Sequence, residues 1–200
     1  GQIKITGAEA MSALESLVPV DIIDLPLMKS RYALFTNNNG GVSDDLMVTN
    51  LGNNCLFLVV NAACKDSDFV HLNQSIGRSC RVELCQNLAL LALQGPRAVE
   101  VLGAIAPSVN DMTFMTAKHL KIKDIDCFVT RSGYTGEDGF EISLPSSDAE
   151  KFAALLLSSD DVEWVGLGAR DSLRLEAGLS LYGHEPVSYT HLRAHETDSY

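Results

Sequence analysis

The residues best suited to chemistry fall in three short stretches. The first is Gly40-Gly41-Val42-Ser43-Asp44-Asp45. On a strand, Val42, Asp44, Leu46 and Val48 share one face, and Ser43, Asp45, Met47 and Thr49 share the other. The two aspartates then point to opposite sides. A carboxylate beside a turn is ordinarily solvated, and adjacent aspartates often end hairpins. A carboxylate carried into a pocket beside Met47 would instead be desolvated. Such a group suits the task of accepting or orienting a proton from a nitrogen.

The second stretch is Gly133-Tyr134-Thr135-Gly136-Glu137-Asp138-Gly139 and the strand after it. Its glycines imply tight backbone or close approach of a ligand. No Gly-Lys-Ser/Thr follows, and the spacing is not G-x-G-x-x-G. Glu137 and Asp138 further disfavour phosphate. In the next strand, Phe140, Ile142 and Leu144 face one way, Glu141 and Ser143 the other. Glu141 is either a solvent-face residue or an acceptor for the paired donors of an amino-pyrimidine edge. The third stretch is Gly166-Leu167-Gly168-Ala169-Arg170-Asp171-Ser172-Leu173-Arg174. Asp171 and Arg174 can pair at i, i+3. Arg170 and Arg174 repel at i, i+4 unless one finds another anion. The stretch reads either as a solvated helix face or as a fork for a ligand carboxylate. No G-x-S-x-G elbow occurs, and His71, His119 and His184 have no spacing that recommends nucleophilic catalysis.

Short strands and helices must position these residues. Residues 2–6 alternate as a strand, and Ala10, Leu14, Leu17 and Val18 form one helical stripe. Residues 32–36 and 42–49 form a hairpin around Asn37-Asn38-Asn39-Gly40-Gly41, since Asn and Gly tolerate positive φ. After a second turn at 50–54, residues 56–61 read as a buried strand. Residues 65–78 suit a helix with Phe69, Leu72 and Ile76 on one face. Residues 80–85 and 88–93 are strands, Gln94-Gly95-Pro96 breaks the pattern, and 97–105 is a helix. Residues 118–123, 126–131 and 140–144 are strands. Residues 147–157 are an amphipathic helix, capped by Ser146 or Ser147 with Glu150 in its first turn. Residues 168–181 are a last helix, ended by Gly183. This irregular mixture predicts an α+β fold with mixed, largely antiparallel sheets and packed helices, not a doubly wound α/β sheet.

Composition narrows the function classes. The chain has 200 residues, 46% hydrophobic and 20% charged, which is ordinary globular usage. A net charge of −11 argues against nucleic acid or an anionic membrane as partner, because both need clustered cations. It leaves room for a small basic pocket holding one acidic ligand. The apolar runs at 55–60 and 88–93 fall short of the roughly 20 residues that span a bilayer. Cys55, Cys64, Cys80, Cys85 and Cys127 are odd in number and lack C-x-x-C spacing. Free thiols are expected, with neither a metal nor a disulfide framework.

The opening Gly1-Gln2-Ile3-Lys4-Ile5 enters directly in a strand pattern. The texture changes after Glu185. Residues 186–197, Pro-Val-Ser-Tyr-Thr-His-Leu-Arg-Ala-His-Glu-Thr, resemble the in-frame translation of a transposon-end adapter used in short-read library preparation. Residues 186–200 are therefore expected to be a non-native tail, and His191 and His195 receive no role.

Several blocks together resemble the aminomethyltransferase (T-protein) family of the glycine cleavage system. They are Leu34-Phe35-Thr36-Asn37, Gly40 to Asn50, Val59-Val60-Asn61-Ala62-Ala63-Cys64 and Ala89 to Pro96. Further on come Arg131 to Ser143, Gly168 to Gly178 and Leu181-Tyr182-Gly183. The resemblance implies transfer of a methylene from an aminomethyl group on the lipoyl arm of the H-protein to tetrahydrofolate, with release of ammonia. It implies that Asp45 is the catalytic aspartate, which orients the attacking folate nitrogen. Asn61 would line the same pocket, Glu141 would bind the pterin edge, and Tyr134 would line the pocket nearby. Arg170 would meet the glutamyl or benzoyl end. Tetrahydrofolate is a co-substrate, and no metal is implied.

The resemblance runs over residues 1–185 and implies two folate-site lobes, with a boundary near Gln94-Gly95-Pro96. Family members run to about twice this length, so an N-terminal segment and a C-terminal barrel domain are expected to be missing. This chain alone is then expected to expose apolar surface and to lack activity. The compartment implied is the cytoplasm of a bacterium or the mitochondrial matrix of a eukaryote. Two alternatives stay open: a non-catalytic folate-binding module, and the folate-binding part of a dimethylglycine- or sarcosine-oxidising enzyme. The K-G-C-Y-x-G-Q-E motif of one such relative is not found here.

Sequencing the source DNA across codon 185 by a method without transposon adapters is expected to show the frame departing from the tail after Glu185. The same tail followed by a stop codon would contradict the adapter reading.

Overall fold

Alternating apolar residues build two sheets. The computed structural model describes residues 1–184, and the tail expected at 186–200 lies outside the described residues. The described elements are helices mixed with antiparallel strand pairs, as the α+β expectation requires. They fall into two compact units: residues 1–25, 31–84 and 180–184 in one, residues 26–30 and 85–179 in the other.

The first sheet has β1 (Gln2–Thr6), β2 (Ser30–Thr36), β3 (Val42–Gly52), β4 (Cys55–Val60) and β5 (Arg81–Leu84) in the order β2-β3-β4-β1-β5. The pairs β3–β4, β1–β4 and β1–β5 are antiparallel. Helices α1 (Ala10–Glu15) and α2 (Lys65–Ile76) accompany this sheet. Its core holds Ile3, Ile5, Leu14, Phe35, Leu46, Leu56, Leu58 and Leu72. The expected helical stripe is cut short after Glu15. That side chain accepts the N–H groups of Ile22 (2.7 Å) and Ile23 (2.8 Å) and so anchors the following turn.

The second sheet has β6 (Leu88–Gln94), β7 (Ala117–Ile122), β8 (Ile125–Thr130) and β9 (Gly139–Pro145) in the order β6-β9-β8-β7, with all three neighbouring pairs antiparallel. Helices α3 (Ala98–Ile105), α4 (Ala149–Leu156) and α5 (Leu167–Glu176) belong to this unit. Its own core holds Leu102, Ile122, Val129, Phe140, Ile142, Leu144 and Phe152. The chain passes from the first unit to the second at Leu84/Cys85. The reason is that β6 pairs along its whole length with β9.

Two helix ends differ from the sequence reading. Residues 146–148 are taken up in a 3-10 turn, so α4 starts at Ala149 behind Asp148, with no side-chain cap from either serine. α5 stops at Glu176, short of Gly183, because Gly178 adopts φ 70°. The Leu179 N–H then bonds the Arg174 carbonyl (2.8 Å), and the Gly178 N–H bonds that of Leu175 (3.0 Å). This double closure is the Schellman motif, which favours glycine for its left-handed backbone. Large apolar side chains are exposed around this helix, with Trp164, Val165, Leu167 and Leu175 all more than half accessible.

Leu58→Ala empties a fully buried position and is expected to cost about 2–5 kcal/mol in urea unfolding. Leu167→Ala removes an exposed side chain and is expected to change stability by no more than about 0.5 kcal/mol. Equal effects would contradict the core assignment.

Candidate active site

In the first unit the hairpin positions the carboxylates. Asn37 Oδ1 accepts the N–H groups of Asn39 (2.9 Å) and Gly41 (3.0 Å), which closes the turn before β3. The β3–β4 ladder ends with Leu46 opposite Val60. One further step in that register sets Asp45 opposite Asn61. Along β3 the burial alternates as expected, but the fully buried carboxylate is Asp44, while Asp45 is half-buried beside Met47. The two carboxylates do not act on opposite sides alone. The Asn61 Nδ2 donates to Asp44 Oδ1 (2.8 Å) and to Asp45 Oδ1 (2.6 Å). The Asn61 backbone N–H also donates to Asp44 Oδ2, at 3.3 Å. The Tyr32 hydroxyl donates to Asp45 Oδ2 (3.0 Å).

Other groups crowd this place. Asp68, in the first turn of α2, is buried, and burial pushes its carboxyl up to about 8. The Cys64 thiol is likewise pushed up to about 11, first by burial and then by Asp44 and Asp68, so it keeps its proton. All five cysteines are free thiols. Among the described residues, no group of three or more His, Cys, Asp or Glu has the geometry to hold a metal.

In the second unit the Gly-rich loop is filled by its own protein. The Gln94 carboxamide donates to the carbonyls of Ser132 (3.0 Å) and Phe140 (3.3 Å) and accepts the Thr135 hydroxyl (3.2 Å). A Cβ at Gly133 or Gly139 would collide with that carboxamide. These glycines therefore serve close packing. Arg131 grips Asp138 through Nε (2.9 Å) and Nη2 (2.5 Å) and also donates to the Met112 carbonyl (2.6 Å). Glu141 is half-buried on β9, and its Oε2 accepts the Ser132 hydroxyl at 2.9 Å. The Ser132 and Thr130 hydroxyls lie 2.8 Å apart, which continues the chain of polar contacts.

The arginines of α5 divide as their spacing demands. Arg174 is buried, bonded to Asp171 (2.9 Å) and to the Leu179 carbonyl (3.2 Å). Arg170 is exposed, with its guanidinium 4.6 Å from the centre of the Tyr134 ring. Stacking on an aromatic face orients a guanidinium while leaving its edge for a carboxylate. The structure thus joins Asp45 with Asn61 in one unit, and Tyr134 with Arg170 in the other, where Glu141 stands with Ser132. Tyr32, Asp68 and Ser132 escaped the sequence reading. Their only sequence signals were a tyrosine on the strand across the hairpin, an acid in a helix's first turn, and a serine next to a glycine. A separate cleft of about 350 Å³, lined by Arg97, Glu100 and Asp161 among others, holds none of the expected residues.

The sequence matches the GCVT N-terminal domain over residues 1–194. The chain belongs to that family. It is 43% identical to the mitochondrial aminomethyltransferase of Dictyostelium discoideum over 92% of this chain and 50% of that protein. It is equally similar, at 43%, to the human mitochondrial aminomethyltransferase, over 94% of this chain and 49% of that one. The crystal structure of glycine cleavage system aminomethyltransferase T from Bartonella henselae superposes with a TM-score of 0.89 at 43% identity, covering 95% of this chain and 52% of that one. A heterotetrameric sarcosine oxidase from Corynebacterium sp. U-96 superposes with a TM-score of 0.56 at 21% identity, over 86% of this chain and 80% of that one, and shares the fold. This GCVT-family chain spans about half the length of the curated relatives it matches. Among the described residues no helix is long and apolar enough to cross a membrane.

The Arg131 guanidinium holds the Asp138 carboxyl below its ordinary value, chiefly by hydrogen bonding and against burial. A depressed folded value contributes stability above the unfolded value near 3.8, and that stability is lost as pH falls through the folded value. Asp138→Asn is expected to lower the urea midpoint at neutral pH, and the deficit is expected to vanish in acid below both values. A deficit of equal size in strong acid would contradict the ion pair as its source.

Proposed function

We propose that this chain supplies the tetrahydrofolate-handling lobes of a glycine cleavage aminomethyltransferase. In that reading the enzyme moves the methylene of the aminomethyl group on the lipoyl arm of the H-protein to tetrahydrofolate. Ammonia and the dihydrolipoyl arm are released, and the folate leaves as 5,10-methylenetetrahydrofolate. The observation that carries the reading is the Asp45 carboxylate. It is half-buried and bonded by Asn61 and Tyr32, in a chain 43% identical to named aminomethyltransferases.

The residues fit a reduced folate by their chemistry. Glu141 is acceptor-only when ionised, and the Ser132 hydroxyl orients it, which suits the paired donors of a pterin edge. Arg170, stacked on Tyr134, suits the glutamyl or benzoyl end, whose glutamyl carboxylates are anionic. Tetrahydrofolate supplies the nitrogen nucleophiles when bound. Asp45 orients and polarises the attacking nitrogen and takes up its proton, while Asn61 and Tyr32 hold the carboxylate in one orientation. The reading also assigns residues 1–185 to the folate-binding lobes and residues 186–200 to a non-native tail. The lipoylated H-protein is its macromolecular partner, in glycine catabolism and one-carbon metabolism. Its compartment is a bacterial cytoplasm, or the mitochondrial matrix in a eukaryote.

In a chain of the relatives' full length, Asp45→Asn is expected to retain tetrahydrofolate binding and to lower lipoyl-dependent ammonia release by about 10²–10⁴-fold, the usual contribution of a positioned acid–base group. Unchanged turnover would remove Asp45 from the mechanism.

A further inference from the structure

Two buried carboxyl groups meet next to Asp45. Asp44 is fully buried, and Asp68 is 4% exposed. Asp44 accepts the Asn61 side-chain amide on Oδ1 and the Asn61 N–H on Oδ2. Asp68 stands within hydrogen-bonding reach of Asp44. Its Oδ2 is sealed from solvent and receives no donor, and no other side-chain atom among the described residues is left so. Two ionised carboxylates cannot bond each other, and out of water they repel. One proton between them turns that repulsion into a charge-assisted O–H···O⁻ bond. The donors decide where the proton sits. Asp44 has two N–H groups to hold a negative charge, whereas Asp68 Oδ2 has none.

We propose that Asp68 is a positioning residue: it stands as the neutral acid, donates its proton to Asp44, and so fixes the carboxylate against which Asn61 aligns its amide toward Asp45. The functional weight of this alignment rests on the aminomethyltransferase reading of Asp45, but the proton itself does not. The groups facing Asp68 pull both ways. In the 200-residue chain the terminal ammonium of Gly1 favours its ionised form, and the N-terminal end of α2 does the same. Burial, Asp44 and Asp45 oppose it, with burial the largest influence. Cys64 and Tyr182 share this field, and both are pushed up, first by burial, so they stay neutral. Asp68 itself is pushed up to about 8.

The test is a carboxyl-13C NMR titration of the 200-residue chain and of Asp68→Asn, with the Asn61 side-chain amide followed in the same samples. At about pH 6, where ordinary carboxyls are ionised, one aspartate resonance is expected to remain protonated. It is expected to titrate near 8, to be absent from Asp68→Asn, and to carry the Asn61 amide shift with it. Stability gives an independent readout. The unfolded chain gives up this proton near 3.8 and the folded chain only near 8. Stability therefore falls as pH rises through that window. Asp68→Asn cannot ionise but keeps an N–H donor toward Asp44, so it is expected to lack that fall. Full ionisation of every aspartate by about pH 6 in the unmodified chain would overturn the proposal, as would a high-titrating resonance that survives in Asp68→Asn. Neither readout uses a folate, so failure of the functional reading and failure of this proposal are told apart.

Discussion

The Asn61 carboxamide holds two adjacent carboxylates at once, and the geometry of the candidate site depends on that constraint. Asp44 is fully buried, so it needs donors. An unpaired buried carboxylate costs several kcal/mol in effective desolvation. Two of its donors come from one residue, Asn61, through both side chain and backbone. That residue reaches Asp44 only because β3 and β4 pair with Leu46 opposite Val60. A slip of one residue would turn Asp44 outward and Asp45 inward. The turn bonds of Asn37 and the apolar run of β4 fix the register, and the register fixes the carboxylates. Asp45 is held as a consequence, between Asn61 and Tyr32.

The second unit solves a different problem with the same economy of donors. Its Gly-rich loop is filled by Gln94 and tied by Arg131 to Asp138. Those polar groups are therefore committed to shape. What stands toward solvent is selective. Asp171 and the Leu179 carbonyl occupy Arg174, which leaves Arg170 to lie on Tyr134. The repulsion expected between arginines one helical turn apart is relieved by burying one in an ion pair and stacking the other.

Much of this was legible in the sequence. Period-two alternation located the strands, and the Asn-Gly cluster located the hairpin, because those signals are local. The i, i+3 pairing of Asp171 with Arg174 was equally local. The family resemblance picked out Asp45, Asn61, Tyr134, Glu141 and Arg170, and the structure gives each of them a polar or stacking partner. The failures share a cause. The sharing of Asn61 between Asp44 and Asp45 depends on a partner strand seventeen and sixteen residues away, and strand alternation cannot see it. Nothing in the sequence separates Asp68 from Asp66 in the first turn of α2, because its burial comes from packing. The glycines at 133 and 139 leave tight packing and a ligand both open in sequence, and the choice falls to Gln94, 39 to 45 residues earlier in the chain, which takes that space. The helix expected at 168–181 ends early because Gly178 is its left-handed stop, which periodicity alone does not distinguish from a helical position.

Asn61 and the buried Asp44 form one energetic unit. A double-mutant cycle on Asp44→Ala and Asn61→Ala, read by urea unfolding at neutral pH, tests it most directly. The predicted coupling is about 1–3 kcal/mol, the range of residues sharing one hydrogen-bond network. Losses that add to within about 0.5 kcal/mol would contradict it.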